Sequence, residues 1–189
     1  MANRLSLGAV TVGVAAVVIV LVTVLVGGAG DPGPAPDTHT PEATHVEGPQ
    51  PEGADAPTVT QMGLAAMFSW QPRTDPGPGA GLTRAAPWLT GALAAAAGAD
   101  PANGVAPLPE WAGWRDSDDI VTAVVDTEQA DTDTDGLGAT VGATVIQRVL
   151  HRDGSTTVYR RLHVTVTVTE TPQGWRMSSY RINSVTGHG

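Results

Sequence analysis

The chain contains no cysteine. Disulfide frameworks, thiol nucleophiles, Cys-ligated zinc, iron–sulfur clusters and lipid attachment to an N-terminal cysteine are thereby excluded. Lysine is also absent. The ten basic residues are all arginine and face 19 carboxylates, giving a net charge of -9. A chain this short of cations cannot neutralise a run of phosphates, so nucleic acid is excluded as the default partner. Aromatic residues make up 4% of the chain, with one Phe and two Tyr, so its large contacts have to come from the five Trp. Walker, G-x-G-x-x-G, G-x-S-x-G and H-E-x-x-H motifs are all missing. At 189 residues the chain suits one domain plus extensions.

What is present divides into three segments, the first led by a short cytoplasmic tail. Leu5 to Val26 carries no charge, and as a helix it would span about 33 Å, the thickness of a bilayer core. Arg4 and the terminal amine precede it, which predicts a single-pass membrane helix at 5–26 with residues 1–4 in the cytoplasm and the remainder outside. A signal peptide cleaved after Ala29, within the small residues Gly27 to Gly30, is the alternative. The run is longer than the ~7–15 residues usual for a signal core, which favours an uncleaved anchor. Residues 27–57 hold seven of the 15 prolines and six carboxylates but no arginine. Such a tract reads as a disordered, extended acidic linker able to hold a domain off the membrane. His39 and His45 within it are too sparse to make more than a weak metal pair. Residues 58–189 then read as an extracytoplasmic folded domain, long enough for its own core.

Within that domain Thr60 reads as a helix N-cap, with Val59 stapled to Leu64 and with Met67 and Phe68 at helical spacing before Pro72 stops the run. The stretch Thr74 to Gly81 reads as a loop. A second helix is expected from about Pro87, with Leu89, Leu93, Ala96 and Ala97 on one face, ending at Gly98 and Asp100-Pro101. Trp111 and Trp114 suggest a short helical turn or a packed loop. From Ile120 the period becomes two. Ile120 to Asp126 reads as a strand. Ala139, Val141, Ala143 and Val145 alternate with small polar residues, and the phase blurs at Ile146 and Gln147, which suggests a bulge. Asp153-Gly154 signals a hairpin turn. After it Val158, Leu162, Val164, Val166 and Val168 are expected on one face, and Tyr159, Arg161, His163, Thr165 and Thr167 on the other. Thr171 to Gly174 makes another turn. Trp175 and Met177 open a last strand, with Tyr180 and Ile182 in the opposite phase. These elements predict an α+β fold: two to three helices packed on a curved, four-stranded antiparallel sheet.

This order of elements, with the Gly174-Trp175 start of the last strand and the approach to the first strand through Trp111 and Trp114, resembles the membrane-anchored members of the nuclear transport factor 2-like superfold. It is similar above all to the bitopic scaffold proteins of type IV secretion and conjugation channels, and in plan to accessory proteins of mammalian-cell-entry lipid transporters. The resemblance implies a non-enzymatic domain that assembles with other envelope subunits outside the cytoplasmic membrane. Enzymes of the same superfold use an Asp or His in a pocket between sheet and helices.

The residues offer few candidates for chemistry. His163 and His151 are the possible general bases, but alternation puts His163 opposite the valine face and His151 abuts a turn. Asp131, Asp133, Asp135 and Gly136 read D-x-D-x-D-G, the first half of a calcium loop. The twelfth position, where a bidentate Glu belongs, is Gly142, so a solvated acidic loop is the better reading. Arg148, Arg152, Arg160, Arg161, Arg176 and Arg181 cluster in the sheet and are expected either to pair with carboxylates across strands or to dock an acidic partner. Trp88, Trp111, Trp114 and Trp175 are expected in the core and the helix–sheet seam; an exposed Trp111–Trp114 pair would instead mark a binding surface. No catalytic, cofactor or metal site follows. The expected function is a membrane-anchored scaffold of a cell-envelope machine, conjugative or type IV secretion-like, whose sheet face or edge mediates self-association and docking. An exported lipid- or small-molecule-binding domain is the alternative, and an isomerase-like enzyme of the superfold a more remote one.

Overall fold

The computed structural model describes residues 49–99 and 108–187. The expected membrane helix 5–26, the histidines of the linker and Asp100-Pro101 lie outside those residues. No helix among the described residues is long and apolar enough to cross a membrane.

The fold is α+β. Helices α1 (Ala56–Phe68), α2 (Gly79–Arg84), α3 (Gly91–Ala97) and α4 (Trp111–Ser117) come first, with a 3-10 turn at Ala86–Trp88. Strands β1 (Ile120–Thr127), β2 (Asp131–Thr132), β3 (Gly138–Leu150), β4 (Thr156–Thr171) and β5 (Gly174–Thr186) follow. They form one antiparallel sheet in the order β1-β3-β4-β5, with the two-residue β2 paired to the start of β3. β2 falls in the acidic run and is too short to leave a period in the sequence, so the expected four strands become five.

Helix α1 begins earlier than Thr60. Asp55, in extended conformation, is its N-cap, and its Oδ1 accepts from the Thr58 N–H at 2.8 Å. Pro57 lies in the first turn, where a missing N–H costs nothing. Thr60 is fully buried inside the helix. Residues ahead of Thr58 also pack on the fold. Pro51 is buried, its carbonyl accepts from Arg176 Nη1 at 3.2 Å, and Glu52 Oε1 lies 3.0 Å from Arg176 Nη2. Residues 51–57 are therefore tied to the described fold. The hydrogen bonds from Thr58 hold the Asp55 carboxyl below its ordinary value. Stability from this cap is thus present above the ordinary carboxyl pKa and lost as pH falls through the lowered one. Asp55→Ala is expected to cost about 1 kcal/mol at neutral pH. The gap to the wild type should close in strong acid, which urea midpoints at several pH values will read.

The region from Thr74 to Ala97 departs most from expectation. The glycine-rich stretch taken for a loop ends in α2, because Gly81 lets that helix approach α1 closely; a Cβ there would meet the Met67 backbone. The expected helix from Pro87 is split. Pro87 sits in the 3-10 turn, Leu89 bridges Met177 of β5, the Thr90 N–H donates to the Met177 carbonyl at 2.9 Å, and α3 starts only at Gly91, whose φ is +57°. Gly98 caps α3 as expected.

The helix-bearing face of the sheet carries the core. Val121, Val125, alternate residues of β3 from Ala139 to Val149, and Leu162, Val164, Val166 and Val168 of β4 are buried there. The bulge expected near Gln147 is present, but its extra residue lies on β4: Gln147 faces Arg160 and Arg148 faces Val158, which leaves Tyr159 over. β3 therefore keeps its alternation and turns Gln147 inward, fully buried. β4 reverses phase, so Val158 is 60% exposed, opposite to expectation, and Tyr159 packs against the core. β5 has two more register shifts, which leave Ser178 and Asn183 over. They align Met177, Tyr180, Ile182 and Val185 with Val168, Val166, Val164 and Leu162. The opposite phases read from the sequence thus merge onto one face.

The two flanks of the sheet differ. Trp70 and Val121 exchange both backbone hydrogen bonds, the Ala123 N–H donates to Ser69 Oγ at 3.0 Å, and Gln61 Nε2 donates to the Val125 carbonyl at 3.0 Å. The outer edge of β1 from Val121 to Val125 is thereby covered in part by α1 and the residues after it. On β5, beyond the Thr90 contact, the edge from Ser179 onward pairs with nothing among the described residues.

Candidate functional site

The helices cover only part of the sheet. Between the end of α1, α2 and the sheet a half-open cleft of about 240 Å³ remains, lined by Met67, Phe68, Trp70, Pro78, Gly79, Leu82, Leu108, Arg160 and Tyr180. Its α2 wall is fixed by the buried Asp75, which accepts from the Gln71 N–H at 2.7 Å and from Arg84 Nη1 at 2.7 Å; Arg84 also donates to the Ser69 carbonyl. Its floor is the sheet, with Tyr180 edge-on to Phe68 at 6.2 Å between ring centroids.

Arg160 is the charged member of this lining. The β4 bulge turns Tyr159 and Arg160 to the same face, and an aromatic arc runs Trp70, Trp111, Trp114, Tyr159 with centroid separations of 5.8, 6.5 and 4.9 Å. The guanidinium closes the arc, 5.6 Å from the Trp70 ring and 5.0 Å from the Tyr159 ring. Its Nε donates to Gln147 Oε1, and Gln147 Nε2 donates to the Phe68 carbonyl at 2.6 Å. The Tyr159 hydroxyl donates to Glu110 Oε2 at 3.2 Å. Burial raises the pKa of that phenol; the Arg160 charge works against the rise and Glu110 adds to it. The Nη groups of Arg160 have no hydrogen-bond or carboxylate partner among the described residues.

The other candidates lie elsewhere. His163 is on the opposite face, exposed, with Nδ1 3.3 Å from Thr144 Oγ1. His151 closes the β3–β4 turn, 3.2 Å from the buried Asp119 and 2.9 Å from Thr157 Oγ1. In the acidic run the Gly136 N–H donates to the Asp133 carbonyl and the Leu137 N–H to Asp135 Oδ1, which makes an exposed turn between β2 and β3. Among the described residues no three carboxylate or imidazole groups converge on a metal position. The arginines do not act as a group. Arg148, Arg152, Arg161 and Arg181 are exposed without the expected cross-strand carboxylates among the described residues, Arg176 ties down Glu52, and Arg160 points into the cleft. Trp88, Trp111 and Trp114 are buried as expected, so the last two form no exposed patch, and Trp175 is half-buried. Sequence reading passed over Trp70, took Gln147 only as a marker of the bulge, and gave Tyr180 no role; the partners of Trp70 and Gln147 are distant in the chain.

No protein-family model and no curated protein matches the chain. Among solved structures, the crystal structure of the intermembrane space region of chloroplast protein ARC6 is similar over 68% of this chain and 97% of that one, at 14% identity and a TM-score of 0.36. At that distance the likeness bears on neither function nor the finer fold.

Proposed function

We propose that the chain is a non-enzymatic, membrane-anchored scaffold component of a cell-envelope machine, of the conjugative transfer or type IV secretion kind, with a nuclear transport factor 2-like domain held outside the cytoplasmic membrane. The observation that carries this reading is the uncovered part of the helix-bearing sheet face. Tyr180, Ile182 and Val185 are 37%, 39% and 54% exposed there, beside the open edge of β5. An apolar row next to unpaired backbone groups suits docking of another envelope subunit or a second copy. The charge-free run 5–26 and the acidic linker support tethering. The test places a photo-crosslinking residue at Ile182 in the full chain, in membranes of its own host, and compares it with one at Thr140 on the opposite face. Crosslinks to envelope subunits or to a second copy are expected from position 182 and not from 140. Equal or absent crosslinking, or recovery of the chain from the culture fluid trimmed after Ala29, would overturn the proposal.

A second reading, an exported domain that binds a small apolar molecule, is favoured by one feature: the cleft, with its aromatic and aliphatic walls.

A further inference from the structure

Resting on that second reading, we infer that the cleft takes a single-chain amphiphile with a carboxylate head, and that Arg160 receives the head. Three features of the geometry carry this. The lining is apolar apart from Arg160 and the Tyr180 hydroxyl, so a ligand gains by burying a hydrocarbon chain against Met67, Phe68 and Leu82. Arg160 is also held in place before any ligand arrives: Gln147 anchors its Nε, and its guanidinium carbon lies over the Trp70 and Tyr159 rings. Its two Nη groups, the pair that grips a carboxylate end-on, are left without a partner among the described residues. Glu110, which accepts from the Tyr159 hydroxyl at 3.2 Å, forms no ion pair with Arg160. Size limits the chain. About 240 Å³ lies just under the ~300–1,000 Å³ of drug-sized sites, so a medium acyl chain fits and a two-chain lipid does not.

The test titrates the purified full-length chain with octanoate, octanol, octyltrimethylammonium and acetate below their aggregation limits, following tryptophan fluorescence. Octanoate should bind saturably at one site, at least tenfold more tightly than octanol, with no binding of the cation or of acetate. Arg160→Gln should weaken octanoate at least tenfold and leave octanol unchanged. Circular dichroism of the variant guards against unfolding. If Arg160→Gln does not fold, Leu82→Trp serves in its place: it fills the cleft from a half-exposed position, keeps Arg160, and should abolish binding of both octanoate and octanol. Equal affinity for octanoate and octanol would overturn the carboxylate inference and leave the cleft reading standing. Absence of saturable binding by either would overturn both.

Discussion

Gly81→Ala should lower stability by about 3 kcal/mol, the upper part of the range for overpacking a tight contact, and Gly81→Val by more. A Cβ at Gly81 would press on the Met67 carbonyl oxygen, and would lie 2.9 Å from its carbon and 3.1 Å from Trp70 Nε1. These neighbours have little freedom to yield. The Met67 carbonyl is backbone of α1 and already accepts from Trp70 Nε1 at 3.2 Å. The next carbonyl, Phe68, is held by Gln147. Trp70 itself is pinned to Val121 through both backbone groups. Relief therefore requires α2 to lift away from α1, which opens the cleft. Gly113→Ala supplies the contrast. It is also a helical glycine, in α4, but a Cβ there meets nothing within 4 Å. That change should be neutral or stabilising by up to about 1 kcal/mol. The urea midpoint of Gly81→Ala should fall while that of Gly113→Ala holds or rises; equal shifts would mean that close approach of α2 does not govern the site.

Gln147→Leu should cost about 2–4 kcal/mol despite its closeness in volume. The side chain is fully buried on the core face. Its loss leaves the Phe68 carbonyl without its donor and Arg160 Nε without its acceptor. An orphaned buried group forfeits its full hydration, whereas a well-made bond adds only a modest net gain. Because the two bonds share one amide, their energies should not add. In a double-mutant cycle with Arg160→Met, the combined loss should be smaller than the sum, with a coupling of about 0.5–3 kcal/mol. Additive losses would show that Arg160 is placed by its aromatic neighbours alone.

The sequence made part of this legible. The alternations in 139–145 and 162–168 pointed to the buried face of the two central strands, because each is an unbroken period of two with one side all apolar. Asp153-Gly154 and Gly174 marked the turns, where φ is +85° and +95° at the glycines. What stayed hidden has a physical pattern. Bulges change which way a side chain points without changing the residues, so Val158 and Tyr159 read in reverse, and Tyr180 seemed out of phase with Met177. Glycine-rich α2 looks like a loop because its helicity depends on packing and not on propensity. The cleft was hardest to foresee. Gln147 reaches the Phe68 carbonyl, 79 residues away in the chain, and nothing local to either residue announces the other.

The asymmetry of the sheet's two flanks sets a valency. α1 and the residues after it cover the β1 side, so among the described residues the β5 side is the flank left to accept another strand. Two copies joined through that side would bury this margin in each other and form a closed two-fold pair. In such a pair growth by strand addition would stop at two, with the first helix of each copy guarding the far flank against fibre formation.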